Sequence, residues 1–188
     1  MNLAHRWLCN SGHWRSTVEK RILPWTLEGV ELGKDVLEIG PGPGVTTESL
    51  RRRVPDLTCI EIDGMYASSL ARRIGGNSVR VLCGDATAMP LPDANFDAVV
   101  CFSMLHHVSS IALQDRLLAE AARVLRPGGI FAGVDSLSSR LFRLFHLFDT
   151  MVVIDPGTFP NRLEAAGFEN IQVDVIPRTF RFRARKPA

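Results

Sequence analysis

The sequence predicts one α/β domain built on a doubly wound sheet, and three observations carry that prediction. Apolar runs of strand character alternate with helical patterns from about residue 35 to 135, a glycine-rich turn follows the first run, and further short motifs fall just after later runs. Strand, helix, strand means parallel neighbours, because a parallel pair needs a crossover that is usually a helix. In such sheets ligands bind beyond the carboxyl ends of the strands, near the point where strand order reverses. A length of 188 residues suits one compact domain with one core.

The elements follow in order. Residues 1–33, carrying Trp7, Trp14 and Trp25, are expected to form a helical segment. The runs DVLEI at 35–39, LTCIEI at 57–62, SVRVLC at 78–83, FDAVVCF at 96–102 and GGIFAGVD at 128–135 read as strands. One helix follows Gly44 and ends near Arg51, Arg52 and Arg53, where cations complement the helix dipole. Another begins at Gly64, with Asp63 as its cap. A third runs from about Ser110 to Leu125, with Leu117, Leu118, Ala121, Val124 and Leu125 on one face and Pro127-Gly128-Gly129 ending it. In the closing TFRFRARKPA, Phe180, Phe182 and Ala184 alternate with Arg181, Arg183 and Arg185. That is the period of a strand with one packed face and one solvated face.

Composition bounds the partners. A net charge of +2 is too small to imply a polyanion, so no nucleic-acid partner is expected, although all but three of the basic residues are arginine. No apolar run approaches the ~20 residues that span a bilayer, and MNLAHRWLCN lacks the pattern of a signal peptide. The expected location is therefore cytoplasmic, with no membrane span. Cys9, Cys59, Cys83 and Cys101 form no C-x-x-C pair and give no metal signature; the last three lie in or at the end of strand runs, as small buried apolar groups do.

The chemistry concentrates after the strands. Glu38 leads into Gly40, Gly42 and Gly44, glycines at alternate positions before a helix, where the chain turns tightly and a ligand can approach the backbone. A dinucleotide fingerprint needs glycine at 45, where Val45 stands, and uses backbone N–H groups to hold pyrophosphate. Pro41 and Pro43 have no N–H to give. That suits a nucleoside cofactor without phosphate, such as S-adenosylmethionine. Glu61, 21 residues after Gly40, lies in reach of a ribose, a feature shared by sites for either cofactor. Asp85, in Gly84-Asp85-Ala86, is an acceptor on a tight turn, equally readable as an ordinary loop aspartate.

The runs VLEIGPGPG, CIEID, GDATAMPLPDANFDAVVCFSMLHHV and EAARVLRPGGIF occur in the order and at the approximate spacing of class I small-molecule methyltransferases dependent on S-adenosylmethionine, and over residues 34–135 the chain resembles that family. The ending LEAAGFENIQVDVIPRTFRFRARKP is similar to the family's last helix and strand pair. The resemblance implies a Rossmann-like sheet of seven strands with the last antiparallel, the final two supplied by GFENIQVDVI and RTFRFRA. It implies that Glu38, Gly40, Gly42 and Gly44 line the methionine and ribose side of the cofactor, that Thr47 matches the family's cofactor-site threonine in the next helix, and that Glu61 holds the ribose hydroxyls. By the same resemblance Ile62 packs on adenine, Asp85 with Ala86 reads the adenine amino group, and Phe102 with Ser103 floors the sulfonium.

A sulfonium methyl transfers by in-line displacement, so the protein mainly has to align two reactants, and no nucleophilic side chain is required. Where the acceptor is a hydroxyl a base helps; His106, His107 and Asp135 are the candidates, with a structural role the blander reading of both histidines. The acceptor side falls to residues 1–33 and 136–160. In the latter, Leu137, Leu141, Phe145 and Phe148 recur at helical spacing, and Leu144, Leu147 and Met151 widen the stripe. Together with the three tryptophans the excess predicts a lid, part of it the N-terminal segment, over a small apolar or aromatic acceptor, or else an apolar homodimer contact through the N-terminal or 137–154 surfaces. The expected layout is one domain of four parts: 1–33, 34–135, 136–160 and 161–188.

Overall fold

A computed structural model describes residues 12–76, 78–139 and 151–188. The chain begins with helical turns, α1 (Gly12–Thr17), a π-helical turn (Val18–Ile22) and α2 (Leu23–Thr26). There follow β1 (Asp35–Ile39), α3 (Val45–Leu50), β2 (Asp56–Glu61), α4 (Gly64–Ile74), β3 (Val79–Cys83), β4 (Phe96–Phe102), a 3-10 turn (Leu105–His107) and α5 (Ile111–Val124). The chain closes with β5 (Leu125–Ser136), α6 (Phe159–Ala165), β6 (Glu169–Ile176) and β7 (Thr179–Arg185). The seven strands form one sheet in the order β3-β2-β1-β4-β5-β7-β6. β1 to β5 pair in parallel, and β7 runs antiparallel to both its neighbours. The doubly wound, seven-stranded expectation is met, including the antiparallel last strand.

Both faces of the sheet are apolar because helices cover both. Alternate residues divide between them: Leu37, Ile39, Val99 and Cys101 pack in one cluster with Leu117, Leu118 and Phe131, while Val36, Ala98 and Val100 pack in the other with Leu50, Leu57 and Leu70. Asp63 caps α4 by accepting from the N–H groups of Met65 and Tyr66, and Ser110 caps α5 by accepting from that of Leu113. The third helix stops one residue short of the expected Leu125, and the strand begins there rather than at Gly128. Leu125 pairs with Phe96, and a register shift then absorbs Pro127-Gly128-Gly129 before Ile130 pairs with Ala98.

The closing strand departs from expectation on its polar side. Phe180, Phe182 and Ala184 are buried as predicted and Arg185 is exposed as expected, but Arg181 and Arg183 are partly covered. Arg181 binds Glu28 at 2.9 Å and Asp174 at 2.8 Å, donates to the carbonyl of Trp25, and stacks on that ring 5.1 Å from its centroid. Arg183 donates to the carbonyl of Glu28 at 3.1 Å. This face is the dock for the end of the N-terminal segment, whose Leu23 and Leu27 enter the second core cluster. Among the described residues no helix is long and apolar enough to cross a membrane. Of the expected apolar stripe, Leu137 packs against the core and Met151 is half-buried. Leu141, Leu144, Phe145, Leu147 and Phe148, with Trp7 and Cys9, lie outside the described residues.

Candidate functional site

Strand order reverses between β1 and β4, and the predicted motifs meet at their carboxyl ends. Gly40, Gly42 and Gly44 have φ of +64°, +53° and +83°, a backbone that L side chains rarely adopt. The loop is tied to β2 by the N–H of Gly40 on the Ile60 carbonyl at 2.9 Å and the N–H of Gly42 on Glu61 Oε2 at 2.8 Å. A Cβ on Gly42 would meet nothing within 4 Å, so this point of the loop stands open to a ligand. One on Gly44 would lie 2.3 Å from Leu70 Cδ1 and 2.8 Å from Arg73 Nη2. Gly44→Ala is therefore expected to cost about 1–3 kcal/mol in urea denaturation. Gly42→Ala, which meets only the φ strain, is expected to cost less; equal losses would show that the Leu70 contact is immaterial.

Glu38 is buried near the carboxyl end of β1. Thr46 Oγ1 donates to its Oε1, and Cys59 Sγ lies 3.6 Å from its Oε2. Burial pushes its carboxyl above the usual range, and the hydrogen bonds from Thr46 and Cys59 offset part of that rise. Burial likewise pushes the Cys59 and Cys101 thiols up, with the Glu38 and Asp135 charges respectively next in weight. A raised carboxyl contributes stability that is present below the usual carboxylate range and lost as pH rises through its folded value. Glu38→Gln, neutral throughout, is expected to lose less stability than the wild type as pH rises above that range. Parallel urea profiles for the two proteins would assign the slope to other groups.

Glu61, also buried, accepts with both oxygens, from Gly42 N–H and from Asp63 N–H at 2.9 Å. It thus ties the glycine loop to the end of β2, and each oxygen keeps a further lone pair for a ligand hydroxyl. Asp63 serves as the cap of α4, as expected. Ile62 stands 72 % exposed beside them. After β3, Asp85 is exposed and closes its own turn by accepting from Thr87 N–H at 2.8 Å, while Ala86 packs against the core. After β4, Phe102 packs on the second cluster, and Ser103 takes φ +50° with its N–H on the Val134 carbonyl at 2.8 Å. That strained turn sends Met104 back toward β1, its Cβ 3.1 Å from where a Gly40 Cβ would stand.

The structure brings two of the three candidate bases together. His106 Nδ1 lies 2.5 Å from Asp135 Oδ1, and both side chains are buried, at 2 % and 1 % exposure. Asp135 also accepts from Ser136 N–H at 2.6 Å and from His106 N–H at 3.2 Å. With both oxygens so engaged, its place is that of the histidine's partner, which fixes the proton on Nδ1 and the lone pair on Nε2. His107 is half-buried, its ring 4.2 Å from that of His106.

Three contributors escaped the sequence reading: Thr46, Met104 and Gln114. Buried Gln114 donates to the carbonyls of Leu105 at 3.1 Å and Val152 at 2.7 Å, while Val152 N–H reaches the His106 carbonyl at 2.8 Å. It clamps the chain after residue 150 onto the turn that holds the histidines. A glutamine on the buried side of a helix was the one visible signal.

The residues fit a cofactor of the expected kind. Acceptors (Glu38, Glu61, Asp85) lie around an open loop whose prolines have no N–H to offer a phosphate, which matches ribose hydroxyls, amino groups and a sulfonium. Comparison with known proteins agrees. Over 120 residues the chain is 34 % identical to a demethylmenaquinone methyltransferase of Tropheryma whipplei, covering 62 % of this chain and 45 % of that protein. Over 106 residues it is 37 % identical to a fatty-acid O-methyltransferase of Mycolicibacterium smegmatis, covering 55 % and 38 %. The chain thus spans half or less of the length of these relatives. Its fold is similar to that of an S-adenosylmethionine-dependent methyltransferase from Aquifex aeolicus, with a TM-score of 0.76, 98 % of each chain covered and 20 % identity. Residues 37–133, more than half of the chain, match the methyltransferase domain family, and with the sheet order and the glycine loop in place the chain belongs to that family, whose cofactor is S-adenosylmethionine.

Proposed function

We propose that this chain transfers the methyl group of S-adenosylmethionine to a small apolar or aromatic acceptor. The observation that carries the reading is the loop from Glu38 to Gly44, open at Gly42, free of proline N–H groups and held by the Glu61 carboxylate. In this reading Glu61 holds the ribose hydroxyls, exposed Ile62 covers the adenine, and Asp85 with Ala86 reads its amino group. Glu38, Gly40, Gly42, Gly44 and Thr47 line the methionine and ribose side, and Phe102 with Ser103 floors the reacting end. Bound, the cofactor supplies a methyl already activated on its sulfonium. The chain's own work is alignment, a contribution of about 7–11 kcal/mol where two reactants are held at attack distance.

For a hydroxyl or carboxyl acceptor, His106 receives the proton at Nε2 while Asp135 keeps Nδ1–H in place and stabilises the imidazolium; His107 lines the same turn. The names of the two relatives, one acting on a demethylmenaquinone and one on a fatty acid, support an apolar acceptor. Titration of the protein with S-adenosylhomocysteine and, separately, with NADH tests the cofactor, because a ligand bound only by the native state raises the denaturation midpoint. Stabilisation by S-adenosylhomocysteine alone is expected; stabilisation by NADH alone sinks the reading. Incubation with methyl-labelled cofactor and a panel of phenols, hydroxylated rings and fatty acids then reads the acceptor class, and labelling confined to nucleic acid or protein added in parallel would overturn it.

A further inference from the structure

Arg73, on the last turn of α4, reaches the glycine loop at Pro43. Its Nη2 donates to the carbonyl of Pro43 at 2.6 Å, thirty residues back in the chain, and lies 2.8 Å from where a Gly44 Cβ would stand, next to Leu70 Cδ1 at 2.3 Å. Its Nε lies 3.3 Å from Glu48 Oε1 on α3. The other oxygen of that carboxylate lies 3.2 Å from Arg15 on α1. One unbroken chain of contacts therefore runs from the N-terminal segment, through Arg15, Glu48 and Arg73, to the backbone between two glycines of positive φ.

We propose that Arg73 is a positioning residue for the cofactor loop, and that through Glu48 it couples the seat of that loop to the docking of the N-terminal segment. The loop needs such a tie for a physical reason. Its glycines carry more backbone freedom than any other residue, and its prolines have no N–H with which to anchor it. Gly40 and Gly42 bind to β2, and Gly44 N–H turns back on the Pro41 carbonyl. Pro43 is held by Arg73. The side chains are partly exposed, so the network adds little to global stability; its effect is to restrict where the loop sits.

The affinity arm of the test rests on the cofactor reading above; the exchange arm does not. In the ligand-free protein, Arg73→Ala is expected to speed amide hydrogen exchange at Gly42 and Gly44 while the denaturation midpoint barely moves. Affinity for S-adenosylhomocysteine, by calorimetry, is expected to fall about two- to fivefold, a size in keeping with a partly exposed charged network. Arg73→Lys should recover part of both, since an ammonium still donates to a carbonyl but loses the fork geometry toward Glu48. Arg15→Ala should move both readouts in the same direction by less, and the double variant should be no worse than Arg73→Ala alone. Wild-type exchange at Gly42 and Gly44 in Arg73→Ala overturns the proposal, and full additivity in the double variant overturns the coupling. A wild-type protein that does not bind S-adenosylhomocysteine overturns the cofactor reading, and the exchange pattern then decides the tie.

Discussion

Asp135→Ala is expected to lower folding stability by about 3 kcal/mol, because it leaves the donors that meet this buried carboxylate without an acceptor. The carboxylate and its histidine are 1 % and 2 % exposed, so water cannot replace what is lost. Three donors converge on the two oxygens: His106 Nδ1, His106 N–H and Ser136 N–H. Its own backbone carbonyl also accepts from Thr179 Oγ1 at 2.7 Å, which joins the end of β5 to β7. Asp135→Asn, which keeps the shape and one acceptor, should lose less. The measurement is equilibrium urea denaturation of the three proteins. A loss under about 1 kcal/mol for the alanine variant would mean that the site relaxes and admits solvent. If His106 also serves as base, Asp135→Asn lowers kcat well beyond its effect on folding, since an amide can hold the imidazole in the wrong tautomer.

Glu61→Ala should weaken binding of S-adenosylhomocysteine by about ten- to a hundredfold, since a charge-assisted hydrogen bond is worth about 1.5–3 kcal/mol. Two causes act together. The ribose loses its acceptor, and the loop loses the anchor at Gly42 N–H that holds its open face. Glu61→Gln should fall between, because one oxygen still accepts. Asp63→Ala is the control: it removes the cap of α4, at about 1 kcal/mol of stability, and should leave affinity near wild type. Calorimetric titration of the three variants separates them, and an affinity lost with Asp63 but kept without Glu61 would transfer the ribose contact two residues along.

Much of this was legible in the sequence where the chemistry is local. Alternating apolar runs placed β1 and β4 to the residue, and the cap at Asp63 was visible because an aspartate before Gly64 bonds to N–H groups two and three residues on. The end of the third helix was misplaced by one residue because Pro127-Gly128-Gly129 reads as a terminator, whereas the sheet recruits Leu125 ahead of it. The solvated reading of Arg181 and Arg183 failed for a different reason. A period of two says which side chains share a face, and nothing about what packs on that face.

What the sequence by itself determined is the set of elements and the character of the cofactor loop, since periodicity, glycine φ and the missing proline N–H act within a few residues. Only the tertiary structure decided that Asp135 faces His106, that Glu61 reaches Gly42, that Arg181 receives Trp25 and that Arg73 holds Pro43. Those pairs lie 29, 19, 156 and 30 residues apart in the chain. They meet because the sheet is laid down in the order β3-β2-β1-β4-β5-β7-β6, and strand order is fixed by how the helices share the burial of two faces, which no local pattern encodes.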